Sequence, residues 1–215
     1  MTQHITEIIK QAELEKLNWD FYEDAEDVEE YARKKTIPGR IVSFIFDEAK
    51  EISDAEKIIG LLTTFASRRC LVCWFLYCKN EFPLFVANSL EKYWLEFGPN
   101  RQIIDDSWLE ITEPTENGSP IYDCRRQDTH SASSAVAHAA RYAKKRSPHD
   151  AVISLSHAFI AFDISPIGSY VNYIDWLVNV AVPSAFDLEY MPPEKMFVMA
   201  DFEIPSIMKN VVSRK

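Results

Sequence analysis

Glycine is scarce in this chain: 5 residues in 215, against 11 prolines. Tight β-hairpin turns draw on glycine for backbone conformations with positive φ, so the shortage points away from β-rich folds and towards helices. Positive charge is also short. Lys and Arg number 23 against 33 Asp and Glu, which leaves a net charge of −10. A nucleic-acid-binding protein normally presents a basic face, so no nucleic-acid partner is expected. A negative field instead speeds association with a basic partner and disfavours wrong ones. Recognisable phosphate loops are missing, with neither a Walker sequence nor a dinucleotide glycine fingerprint. So is a strained Ser nucleophile turn followed by its acid and histidine partners. Long apolar runs are absent too. The best candidate, Ile58–Cys78, is broken by Arg68 and Arg69, and the weakly polar region after Ala151 is broken by Asp163, Pro166 and Asp175. A spanning helix needs about 18 or more such residues, so no membrane association is expected. The opening MTQHITEIIKQAELEKL has no basic start, apolar block or small-residue cleavage site, unlike a secretory signal. A cytoplasmic, reducing setting is therefore expected, with all four cysteines as thiols.

What is present reads as an all-α protein, a compact array of roughly eight to ten helices in one domain over 1–215. Residues 1–35 form an acidic helical segment whose first part carries an apolar stripe at Ile5, Ile8, Ile9, Ala12 and Leu17. Pro38-Gly39 predicts a break, and Ile41–Lys50 follows as a helix, although IVSFIF also suits a short strand. Ser53-Asp54-Ala55-Glu56 has the form of a capping box opening a helix that runs towards Cys78. Pro83 sits early in the next helix, and Asn100 is placed to cap another through Ile111. EPTENGSPIY at 113–122 is the clearest loop. Helix resumes near Thr129, and Ser147-Pro148 and Ser165-Pro166 both look like starts, a capping residue followed by proline. Residues 200–215 read as a possible tail. Within this series SASSAVAHAARYA, Ser131–Ala143, holds nine Ser or Ala residues in thirteen. Alanine favours helix and small side chains let helix axes approach closely, so this segment predicts a central helix gripped by its neighbours.

Four groups of residues bear on chemistry. Cys70, Cys73 and Cys78 recur at helical spacing among large apolar residues. A zinc site needs thiolates in wrapping turns, so these read as buried core cysteines. His138 and His157 read as hydrogen-bonded core histidines, and Arg68-Arg69 and Arg125-Arg126 as partners of buried acids. His130, His149, Asp150 and Asp163 (with Asp175 as an alternative last member) offer the residue types and order of an HD-type metal phosphohydrolase, in which a divalent ion activates water. That His-Asp pair, however, directly follows Ser147-Pro148 at a helix start, where Asp150 is already explained by the positive helix end. The fourth group is an acidic run. Asp20, Glu23, Asp24, Glu26, Asp27, Glu29 and Glu30 place seven carboxylates in eleven residues, with Trp19, Phe21, Tyr22 and Tyr31 interleaved. A solvated helix face would account for it. Phosphate-mimicking acids with aromatic anchors such as Trp19 and Tyr22 also suit a protein that blocks a basic cleft.

The small-residue helix SASSAVAHAARYA, the following SPHDAVISLSHAFIAF and the earlier Ser67-Arg68-Arg69-Cys70 resemble segments of all-helical bacterial immunity proteins. These neutralise the toxins of polymorphic and contact-dependent secretion systems, and the fifth-numbered immunity family and its relatives come closest. The resemblance covers about 68–163. It implies a non-enzymatic inhibitor without cofactor, whose partner is a cognate toxin, and it supplies no residue roles. The expected function is therefore occlusion of a toxin's active cleft. An HD-like metal phosphohydrolase and a general helical protein-interaction module are the alternatives.

Overall fold

A computed structural model describes residues 2–17, 19, 36–78, 81–96, 126–166 and 170–186. Among these residues the chain is 86% helical with no strand, which makes the fold all-α as expected. They form seven helices rather than eight to ten. The acidic run 20–30, the expected helix 100–111, the loop 113–122 and the tail 200–215 lie outside the described residues.

Helix α1, Thr2–Leu14, buries Ile5, Ile9 and Ala12 along one stripe. Helix α2, Ile37–Glu48, starts before the expected Ile41. Thr36 caps it, its Oγ1 accepting from the Gly39 N–H at 3.0 Å. Pro38-Gly39 is thus the first turn of a helix and no break, because proline is harmless where the helical N–H has no acceptor. The IVSFIF segment is helical, with Ile41, Val42 and Ile45 on the buried face.

Helix α3, Ile52–Phe75, is the centre of the molecule, and every residue from Gly60 to Phe75 is buried. By length and composition it is apolar enough to cross a membrane, but here it is wrapped by other helices. Its buried hydroxyls bond within the helix: Thr63 and Thr64 both donate to the Gly60 carbonyl, and Ser67 donates to that of Thr64. Polar groups are thereby satisfied without a partner helix. The expected capping box does not form. The cap residue is Glu51, so Ser53 already has helical geometry, and its hydroxyl lies 3.4 Å from the Glu51 carboxylate. Glu56 instead faces Arg146 at 3.6 Å.

Helix α4, Phe82–Leu95, packs on α3 with Pro83 in its first turn. Trp94 lies directly on Gly60, and a Cβ at that position would fall within the indole ring. Glycine is needed here for close approach rather than for a turn. An ion pair between Arg68 of α3 and Glu91 of α4 is buried in the same interface.

Helices α5, Gln127–Lys145, and α6, Pro148–Ile164, form an antiparallel hairpin. The turn is short: Arg146 adopts the left-handed conformation at φ 58°, Ser147 is the next cap residue and Pro148 the first helical residue. Arg146 is held there by a bond from its Nη2 to the Tyr93 hydroxyl and by the Trp94 ring, 4.4 Å from its guanidinium carbon. The segment Ser131–Ala143 is helical and buried except for His138 and Arg141, which are half-buried. It packs against α3, α4 and α6. Ser154 Oγ donates across the seam to the Ala135 carbonyl at 2.8 Å, an approach that bulkier side chains would prevent.

The last described helix, α7, runs through Tyr170–Trp176, a π-helical stretch Leu177–Ala181, and Val182–Phe186. The Ser165-Pro166 pair does not open it as expected. Ser165 is the extended C-cap of α6, as fits a residue preceding proline.

Candidate functional site

The densest group of titratable side chains among the described residues lies on the α5–α6 seam. The tight turn sets the register of the hairpin, and that register brings His138 of α5 level with Asp150 of α6. Their Nδ1 and Oδ1 atoms are 3.0 Å apart. About two turns further along α6, His157 stacks on His138, with ring centroids 5.9 Å apart and planes at 23°. His130 meets His157 edge-on at 6.4 Å. Three imidazoles and one carboxylate therefore line one seam. His157 Nδ1 is buried without a hydrogen-bond partner. Burial, reinforced by His138 and His130, brings the His157 pKa down to about 3. Burial also lowers that of His130. A neutral imidazole at the centre of the group follows.

The phosphohydrolase set is not brought together. Asp150 is engaged by His138, on the neighbouring helix, rather than by His149. Asp163 is exposed, thirteen residues further along α6, and at 1.5 Å per residue that is about 20 Å from Asp150 along the axis. One ion cannot bridge such a span. Among the described residues no group of three His, Cys, Asp or Glu is placed to hold a metal. The His138–Asp150 pair was not legible as a pair, because its members are separated by a turn whose length had to be known first.

Cys70 and Cys73 are buried free thiols, as expected of core residues. Burial raises the Cys70 thiol well above its ordinary value and takes Cys73 to about 12, so neither is a nucleophile at neutral pH. Cys78 is disulfide-bonded, which corrects the expectation of four thiols. Arg68 pairs with Glu91 as a buried partner of an acid. Arg69 is buried differently, its guanidinium carbon 4.5 Å from the Trp176 ring centroid and 5.7 Å from that of Phe162. Desolvation lowers its pKa to about 10, so it stays a cation at neutral pH. Arg126 is exposed and pairs with Asp128 at 3.1 Å.

Of the residues expected at a partner interface, Asp20, Tyr22, Glu23, Asp24, Glu26, Asp27, Glu29 and Glu30 lie outside the described residues. Trp19 is not a surface anchor. It is 8% exposed and stacks on Phe159 at 4.7 Å, with Tyr173 edge-on at 6.3 Å. An aromatic among acids reads as an anchor for a partner, but this one fastens the chain after α1 to its own core.

Comparison of the chain with family models, with curated proteins and with solved structures found no match.

Proposed function

We propose that this chain is a non-enzymatic immunity protein that binds a cognate bacterial toxin and occludes its active cleft. The observation that carries the reading is the run of seven carboxylates in eleven residues at 20–30, set between α1 and α2 in a chain of net charge −10. Such a density of like charge costs stability through self-repulsion and offers in return a field complementary to a basic cleft. Four buried side chains support the reading in a second way. Arg68, Cys70, Cys73 and Asp150 are spent on packing inside a helical frame. The phosphohydrolase alternative draws on His149-Asp150, and the engagement of Asp150 by His138 weighs against it. A general interaction module would share the frame without a toxin as partner.

The reading implies a toxin encoded beside this gene, and that product is the partner for the test. Reversing Glu23, Asp24, Asp27 and Glu30 to Lys is expected to slow association with it about tenfold or more at low salt. The difference should shrink as the Debye length falls to about 3 Å near 1 M salt. Stopped-flow association rates across a salt series check this. An unchanged rate and salt slope would remove 20–30 from the interface.

A further inference from the structure

Helices α1 and α2 pack side by side and leave a groove of about 530 Å³ on their outer face. Its floor is apolar, formed by Ile8, Ala12 and Phe44. Its rim is acidic. Glu7 and Asp47 are exposed, and neither makes an ion pair. The rim's single Arg, Arg40, is tied to Glu15 at 3.0 Å, so its charge is already offset. Gln11 holds the other oxygen of the Glu15 carboxylate at 3.1 Å. Ser43 also lines the groove, and its hydroxyl is buried without a hydrogen-bond partner. Apolar floor and uncompensated carboxylates therefore converge on one surface.

We propose that this groove docks a basic amphipathic helix of the partner protein. An apolar face of that helix covers Ile8, Ala12 and Phe44, and flanking Lys or Arg side chains meet Glu7 and Asp47. The charge selects the occupant: an anionic lipid surface or an acidic peptide is repelled by the rim, whereas a basic helix gains from it. The shape agrees, since α1 has 13 residues and presents a wall about 20 Å long, several turns of a helix laid along it. The inference rests on the reading above only in taking the partner to be a basic protein.

The test uses the full chain and, as probe, a fluorescein-labelled amphipathic peptide of Lys and Leu, with its Glu and Leu counterpart as control. Anisotropy at low salt should show saturable binding of the basic peptide and none of the acidic one. Reversing Glu7 and Asp47 to Lys should weaken binding about tenfold, as two negative rim charges become positive and repel the peptide. Ser43→Trp, which fills the groove, should weaken it at least as much in a protein with unchanged circular dichroism and melting temperature. Reversing Glu81 and Asp163, exposed and outside the groove, should change it less than about twofold. Absence of saturable binding overturns the proposal. So does equal weakening by the distant reversals, which would mean diffuse attraction by net charge, or indifference to Ser43→Trp. Peptide binding that survives while the chain fails to neutralise the toxin would separate the groove from the immunity reading.

Discussion

Replacing Glu91 with Leu should destabilise the protein by about 3–5 kcal/mol. Glu91 lies on α4 and pairs with Arg68 of the central helix, and the two side chains are only 8% and 5% exposed. Removing the carboxylate leaves the guanidinium buried without this counter-charge, in an interface that also holds Trp94 and Gly60. The cost arises from stranding a desolvated charge more than from losing an attraction. The double substitution Arg68→Met with Glu91→Leu should therefore recover most of the loss, because it removes both charges and keeps the volume apolar. Urea unfolding of the wild type, both single variants and the double variant supplies the cycle. A double variant no more stable than Glu91→Leu would show that the pair is not the origin of the effect.

The second large effect concerns acid. His157 has a folded pKa of about 3, against an ordinary value of about 6.5 in an unfolded chain. Between these values the unfolded chain takes up a proton that the folded chain refuses. Stability therefore rises with pH across this window. The contribution is fully present above pH 6.5 and is lost progressively as pH falls towards 3. At pH 5 the loss from His157 alone comes to about 2 kcal/mol. The depressed His130 contributes in the same direction. Urea midpoints at pH 7 and pH 5 should thus differ clearly for the wild type and much less for His157→Phe, which keeps a planar ring beside His138. An equal pH dependence in that variant would mean that acid acts elsewhere.

Much of the fold was legible because it depends on local signals. Glycine scarcity and the alanine-rich Ser131–Ala143 gave the helical class and the close-packed centre. The Ser147-Pro148 start was legible because a cap residue and a proline are sufficient cues by themselves. The misread boundaries share a cause. Thr36, Glu51 and Ser165 each terminate or begin a helix within three residues of a more conspicuous signal, and capping preference does not say which candidate the chain will use. The side-chain site was less legible still. The His138–Asp150 pair depends on the register of two helices across a turn closed by Arg146 in a left-handed conformation, which no residue preference at 146 announces. Trp19 misled because an aromatic beside acids has the same composition whether it faces a partner or its own core. The α1–α2 groove was hidden for a related reason: Glu7 and Asp47 lie forty residues apart in sequence and share a rim only once both helices have docked.

The central claim is that this chain acts by binding and not by turnover. It is tested most directly by titrating a fixed amount of the proposed cognate toxin with the purified chain and measuring the toxin's residual activity. A binding protein is expected to extinguish activity linearly, with a sharp end point at equimolar amounts. Its protection should be retained on His149→Ala and independent of added divalent metal. Protection at amounts far below equimolar, growing with time and lost on His149→Ala or with chelator, would contradict the account.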